Sequence, residues 1–250
     1  MQTSGNTILI TGGGSGIGRG LAEAFHRLGN QVIISGRRQA ALDAVTQANP
    51  GMAAFTLDMA DKTGVAAFAQ HVIAAFPGLN AVINNAGIMQ DEAIIAAPDY
   101  LASAEATIAT NLLGPIRLTA ALLPHFLQQP KAAVLTVSSG LAFVPKAATP
   151  TYSATKAAIH AYSQSLRHQL RHSNVEVIEL VPPYVQTALQ GEFQASDPNA
   201  MPLDAYIAET MALLASAPTD GEILVERVKR QRFAAETGNF ATMFNVINPA

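Results

Sequence analysis

The chain has 250 residues, 49% hydrophobic and 13% charged, with a net charge of −3 and no cysteine. That length suits one large domain with a sizeable core; the lack of thiols excludes disulfides, thiolate nucleophiles and Cys-zinc sites; a weakly acidic chain without a long basic run argues against nucleic-acid or anionic-membrane partners. No uninterrupted apolar run reaches the roughly 20 residues a membrane helix needs, and no charged-then-apolar leader precedes the strand-like run at Thr7, so a cytoplasmic protein is expected.

Short β-branched runs alternate with helical patterns along the chain. Strands are expected at 7–10, 31–35, 53–57, 81–84, 132–137, 175–180 and 222–225. Helices are expected at 18–28, 38–48, 62–76, about 98–128 and 151–172. The strands are almost wholly apolar instead of alternating, which marks burial on both faces of a parallel sheet. This rhythm predicts right-handed crossovers and an α/β fold: a doubly wound Rossmann arrangement, seven parallel strands flanked by helices. Gly114-Pro115 and Pro124 should bend or stop the long helix locally. No linker, repeat or low-complexity tract divides residues 1–250, which read as one domain.

The run from Thr11 to Gly18, TGGGSGIG, follows the first strand and opens the first helix. There, glycines permit a sharp turn and let a pyrophosphate approach the backbone, while the helix N-terminus offers donors and a favourable dipole. Dinucleotide binding through Gly12, Gly14, Ser15, Gly16, Ile17 and Gly18 is expected, against the plainer reading of a glycine-rich turn. The end of the second strand usually reads the adenosine ribose. Here Ser35-Gly36-Arg37-Arg38 presents no carboxylate for the ribose hydroxyls. It presents two arginines, and arginine pairs well with a 2′-phosphate. NADP(H) is therefore favoured over NAD(H), mainly through Arg37, with Arg38 either sharing that role or facing water.

Tyr152 and Lys156 are four residues apart, so a helix places them on one face. A tyrosine hydroxyl with a pKa of about 10 is a poor acid or base at neutral pH. A nearby ammonium stabilises the tyrosinate and draws that pKa toward the working range. Such a pair can move a proton on and off an alcohol or carbonyl oxygen, although the spacing alone is weakly specific.

In order along the chain stand Thr11-Gly12 with Gly16 and Gly18, Asn84-Asn85-Ala86-Gly87, Asn111, Ser138-Ser139, and Tyr152 with Lys156. Together they resemble the short-chain dehydrogenase/reductase family in its compact form, over roughly residues 5–190. The resemblance implies Asp58 and Met59 near the adenine, and Asn85, Ala86 and Gly87 along the cofactor. It implies that Asn111 disturbs its helix and holds a water in a proton relay to the lysine. Read from the residues alone, Asp58 caps the next segment, Asn84 is as readily structural, and Asn111 is a polar helix residue. The family serine lies 13 residues before the tyrosine, which selects Ser139 over Ser138. By resemblance, Ser139 donates to the substrate oxygen, and Tyr152 gives or takes the proton. Lys156 lowers the tyrosine pKa and holds the nicotinamide ribose.

The chain departs from that pattern after the sixth strand, where Pro182-Pro183-Tyr184-Val185-Gln186-Thr187 replaces a Pro-Gly run. Pro182, Val185 and Thr187 keep cofactor-side places, with Thr187 toward the carboxamide. Pro183 removes an amide donor and stiffens the loop. Tyr184 either lines the site or packs on the neighbouring loop. The end also differs: Arg227-Val228-Lys229-Arg230 reads as a solvated basic patch, and 233–247 reads as a terminal helix. With the Pro-Pro run, this tail resembles a subgroup that includes the DltE-type oxidoreductases. A homodimer through the long helix and 151–172, or the family's homotetramer, is the expected assembly.

Residues 188–216 are expected to form a variable lid carrying Phe193, Met201, Leu203, Tyr206 and Met211. Leu141, Phe143 and Val144 follow the serine, and Ile88 and Met89 follow the Asn-Ala-Gly turn. A mostly apolar pocket suggests a neutral hydrophobic ketone, aldehyde or secondary alcohol, touched by Ser139, Leu141, Phe143, Tyr152, Tyr184 and Phe193. Packing of the lid itself would account for about half of these apolar side chains. The six histidines lack ligand spacing, so no metal is expected. His160, one turn beyond Lys156, reads as a packing residue. The expected function is NADP(H)-dependent carbonyl reduction, reversible as alcohol oxidation. The alternative is a non-catalytic NADP(H) sensor or scaffold, which would not need the Asn/Ser/Tyr/Lys set. An epimerase or dehydratase using the same pair would need a larger substrate domain.

Overall fold

The computed structural model describes residues 1–96, 100–216 and 221–249. The expected strands form a single parallel sheet: β1 (Thr7–Thr11), β2 (Gln31–Gly36), β3 (Ala53–Thr56), β4 (Leu79–Asn84), β5 (Ala132–Val137), β6 (Val175–Val181) and β7 (Glu222–Leu224). Their spatial order is β3-β2-β1-β4-β5-β6-β7. The strands are largely apolar because successive residues serve two cores. Ile8, Ile10, Val32, Ile34 and Ile83 pack with α1 (Gly16–Arg27) and α2 (Gln39–Ala48) on one face. Leu9, Ile33, Val82 and Val134 pack on the other face with α3 (Lys62–Ala75) and the long helix. The chain winds outward to β3, then returns beside β1, so the order reverses between β1 and β4. In such sheets the carboxyl ends of the strands at that reversal frame the ligand crevice.

The long helix comprises α4 (Tyr100–Ile108), a π turn (Ala109–Leu113) and α5 (Gly114–Phe126). Its expected start near Pro98 lies outside the described residues. In place of the expected bend at Gly114-Pro115, the helix widens just before it. Pro115 has no N–H to return to the Asn111 carbonyl four residues earlier, and the Gly114 N–H bonds to the Ala109 carbonyl, five residues back. Pro124 lies inside α5 without ending it. The run Tyr100–Phe126 is 27 residues long and apolar enough to cross a membrane by length and composition. Here its Leu118, Leu122 and Phe126 are fully buried in the core shared with α3.

The remaining helices are α6 (Pro150–Leu170), α7 (Glu192–Ser196), α8 (Leu203–Ala215), α9 (Lys229–Arg232) and α10 (Phe240–Ile247). Much of the expected lid is core. Tyr206 and Ile207 of α8 are buried with α1, and a Cβ on Gly20 would come within 2.7 Å of Ile207. The helix expected over 233–247 is also shorter. Gly238 takes a φ of +70°, its N–H bonds to the Ala235 carbonyl, and the Asn239 N–H bonds to the Ala234 carbonyl. That is the αL closure by which helical turns end, and only 240–247 continues as helix. Nor is the basic patch simply solvated. Val228 is fully buried, Arg227 donates to the Asn199 carbonyl, and Lys229 pairs with Glu226 at 2.6 Å.

Candidate active site

The glycine loop leaves β1 at the reversal. Gly12 (φ +70°) and Gly16 (φ +52°) adopt a backbone that side chains disfavour. At Gly18 the constraint is space: a Cβ there would lie 2.4 Å from both the Gly12 carbonyl and Asn85 Nδ2. Asn85 Nδ2 donates to the Thr11 carbonyl at 2.9 Å, and Thr11 Oγ1 accepts from the Asn85 and Ala86 N–H groups at 3.0 Å each. The ends of β1 and β4 are thus bound together, with Gly87 just beyond. Ser15 precedes α1 without capping it through its side chain, and the first turn holds no acidic residue. The N–H groups of Gly16, Ile17 and Gly18 keep donor capacity at the positive end of the helix. A backbone that can be approached closely, backed by uncapped donors, fits the pyrophosphate of a dinucleotide.

At the end of β2, Arg37 and Arg38 are both exposed, and Arg38 immediately precedes α2. Gly14 packs close against α2, where a Cβ would lie 3.3 Å from Ala41 Cβ. Asp58 accepts from the Ala60 N–H at 2.9 Å, as the local capping reading requires. Met59 departs from expectation: its side chain is buried in the core, and its Cβ lies 2.9 Å from the Cβ position of Gly114.

Ser139, Tyr152 and Lys156 converge at the carboxyl end of β5. Ser139 Oγ accepts from the Leu141 N–H at 3.1 Å, and its hydroxyl acts on that of Tyr152, favouring the tyrosinate. Ser138 turns away, with its N–H on the Leu180 carbonyl at 2.9 Å. Tyr152 and Lys156 share the buried face of α6, at 7% and 5% exposure. Lys156 Nζ donates to the Val137 carbonyl at 2.7 Å and lies 5.5 Å from the Tyr152 ring centroid. Burial pushes the tyrosine up to about 12, opposed by the Ser139 hydrogen bond. Burial pushes Lys156 down to about 8, opposed by Glu179. The expected fall in the tyrosine pKa is therefore reversed: desolvation of the tyrosinate wins, and the ammonium is engaged by a backbone carbonyl.

Asn111 projects from the π turn. Its Oδ1 accepts from the Ile88 N–H at 2.9 Å, and its Nδ2 donates to the Ile88 carbonyl at 2.8 Å. It thereby fixes the segment that follows Gly87, beyond the end of β4. Asn84 instead donates to Thr119 at 3.2 Å, the structural role left open for it.

The loop after β6 returns over the glycine loop. The Pro182 carbonyl accepts from the Gly140 N–H at 2.9 Å, Val185 bridges to Met201, and Thr187 stands 3.4 Å from the Cβ position of Gly16. Gln194 holds this loop by donating to the Val185 carbonyl at 2.9 Å and to Thr187 Oγ1 at 3.2 Å.

Three of the expected substrate contacts are placed elsewhere. Tyr184 turns to Asp197, donating to its carboxylate at 3.1 Å. Phe193 is 61% exposed on α7. Phe143 packs edge-on against His160, ring centroids 4.6 Å apart, with the Arg232 guanidinium 4.7 Å from its ring centre. Leu141 lines an open groove with Pro145, Ala154 and Phe244 of α10. The tail that covers this segment is anchored by residues that sequence reasoning passed over. Gln231 abuts Gly140, and Asn248 accepts from the Ala147 N–H at 2.6 Å while donating to the Pro145 carbonyl at 3.0 Å. Another such group surrounds Glu179, whose signal was a carboxylate inside an apolar strand.

The family model for short chain dehydrogenase matches residues 6–198. The uncharacterized oxidoreductase DltE of Bacillus subtilis (strain 168) is 43% identical over 189 residues, covering 76% of this chain and 75% of that one. Dehydrogenase/reductase SDR family member 7B of Bos taurus is 32% identical over 193 residues, covering 73% of this chain but 58% of that protein. A Burkholderia cenocepacia J2315 short chain dehydrogenase in complex with NADP shares the fold, with a TM-score of 0.82 over 98% of this chain and 99% of that one at 24% identity. A Sphingobium yanoikuyae short-chain dehydrogenase in complex with NADPH gives 0.78 at 27% identity, over 95% and 94%. The Brucella melitensis 3-ketoacyl-(acyl-carrier-protein) reductase complexed with NADH gives 0.79 at 26%, over 92% and 100%. A family model spanning 6–198 and a relative 43% identical across three quarters of both proteins show that this chain belongs to the short-chain dehydrogenase family of oxidoreductases.

Proposed function

We propose that the protein is an NADP(H)-dependent carbonyl reductase, reversible as an alcohol dehydrogenase. The observation that carries this reading is the convergence of Ser139, at the carboxyl end of β5, with the buried Tyr152 and, one helical turn away, the buried Lys156. When bound, NADP(H) supplies or accepts the hydride at the carbonyl carbon. Ser139 donates a hydrogen bond to the substrate oxygen and Tyr152 delivers the proton to it; in the oxidative direction Tyr152 takes the proton back. Lys156 supplies the positive charge that makes the transient tyrosinate affordable within a buried site. Asn111 holds the Ile88 segment at the edge of this site.

The preference for NADP(H) rests on Arg37 and Arg38, both exposed at the end of β2, where no carboxylate stands to receive ribose hydroxyls. Relatives of this fold are seen with NADP, NADPH and NADH, so the arginines, not the fold, carry the preference. Leu141, bonded to Ser139 Oγ, and Ile88 and Met89, beside Asn111, are partly buried, which suits a small or medium hydrophobic ketone, aldehyde or secondary alcohol. The non-catalytic sensor remains the competing reading, and nothing in such a role calls for a buried Tyr–Lys pair.

The assembly belongs to the same proposal: a homodimer or homotetramer through the long helix, whose Leu101, Ile108 and Leu113 are exposed by 60%, 39% and 38%. Sedimentation of the purified protein is expected to give a dimer or tetramer; a monomer at micromolar concentration would rule it out.

Tyr152→Phe is expected to lower NADPH-dependent carbonyl reduction by roughly 10²- to 10⁴-fold while leaving NADPH binding in place. Unchanged turnover would remove Tyr152 from the chemistry. Arg37→Ala is expected to raise the NADPH Kd by roughly 10- to 100-fold, the loss of a charge-assisted hydrogen bond, with little change for NADH. Equal losses for both cofactors, or a wild type that prefers NADH, would contradict the assignment of Arg37.

A further inference from the structure

β6 is buried and apolar except at Glu176 and Glu179, and Glu179 has no exposed surface. In the parallel ladder Glu179 stands between Thr136 of β5 and Glu222 of β7. Ladder partners share a face of the sheet. Here it is the face covered by α6, because Thr136 Oγ1 lies 2.7 Å from Ser163 Oγ. The two carboxylates have different partners. Arg232 donates to both oxygens of Glu222, at 2.7 and 3.2 Å. His160 Nδ1 lies 2.9 and 3.1 Å from the two oxygens of Glu179. A carboxylate can only accept, so that nitrogen carries the proton.

His160 lies one turn beyond Lys156 on α6, and the Val137 carbonyl that receives Lys156 Nζ follows Thr136 on β5. The groups facing Lys156 are therefore few. From α6 come Tyr152 and His160, and from the π turn the uncharged Asn111, which donates to Thr155 at 3.5 Å. From β5 come hydroxyls and the Val137 carbonyl. From β6 comes Glu179, and beyond it on β7 stands Glu222 with its guanidinium. An ammonium 5% exposed needs a counter-charge, and the ladder sets the buried Glu179 carboxylate beside Thr136, the residue before the carbonyl that receives Lys156 Nζ. His160, Glu179 and Glu222 bring ligand atoms within 4.8 Å of one another, but the Arg232 guanidinium already supplies a cation to that cluster.

We propose that Glu179, clamped by His160, is a buried counter-charge that keeps Lys156 cationic on the face it shares with Tyr152. Neither residue touches the reacting atoms; they form a positioning pair acting through the lysine. The proposal rests on the carbonyl-reductase reading for its purpose, but its physical content is the charge state of Lys156.

That state is read directly by NMR of the purified protein with ¹³C-labelled lysine, the Lys156 resonance being assigned with Lys156→Met. Removing the carboxylate leaves desolvation unopposed, so Lys156 gives up its proton at lower pH. Glu179→Gln is expected to move the midpoint down by about one pH unit. His160→Leu is expected to move it the same way, because the carboxylate loses the donor that holds it in place. A folded variant of either kind with the wild-type midpoint overturns the proposal. Should neither variant fold, the unmodified protein decides: a Lys156 still charged at pH 7 supports the pair, and a Lys156 already neutral at pH 7 overturns it. With any carbonyl that supports NADPH oxidation, the pH at which reduction fails on the alkaline side is expected to fall with the NMR midpoint. The NMR readout needs no substrate, so failure of the carbonyl-reductase reading would be visible separately.

Discussion

An ammonium group buried beneath the carboxyl edge of a sheet must be given acceptors, a counter-charge and a purpose. Lys156 meets the first need through the Val137 carbonyl and the second through Glu179. The parallel architecture makes both available, since β5 and β6 end side by side under α6. Desolvation drives tyrosine and lysine toward their neutral forms from opposite sides, upward for Tyr152 and downward for Lys156. Proton transfer needs the opposite pairing, tyrosinate beside ammonium. The polar groups packed behind α6 oppose part of that desolvation.

The cofactor half is organised by a different constraint, the absence of side chains. Gly18 allows α1 to start against Gly12 and Asn85, so the loops after β1 and β4 close on each other. The uncapped start of α1 then offers donors that the Ser15 side chain leaves open. Both halves meet at the strand-order reversal, where Asn111 bonds to both backbone groups of Ile88. Its π turn follows from Pro115, which withholds the N–H that an α-helix would direct at Asn111.

The sheet was readable because strands buried on both faces are apolar without alternation, and β1 to β7 all fall where such runs lie. Ser139 was readable through its spacing from Tyr152, and Asn85 through its place after β4. Side-chain direction in loops was not readable. Tyr184, Phe143 and Phe193 are apolar and close in sequence to the site, yet their orientations are set by Asp197, by His160 with Arg232, and by solvent. The terminal helix was overextended because apolar spacing continues across Gly238, whose left-handed backbone ends the turn. Glu179 was visible as a charge in an apolar strand, but its partner His160 lies 19 residues away on another element. Only the fold brings the two together.

Carbonyl reduction is tested most directly by hydride tracing: NADPH carrying deuterium at the transferred position, incubated with a panel of hydrophobic aldehydes and ketones. The expected result is an alcohol product with deuterium on the former carbonyl carbon, formed by the wild-type protein and not by Tyr152→Phe. Saturable NADPH binding with no carbonyl reduced and no deuterium transferred would contradict it, and would favour a protein that senses the cofactor without turning it over.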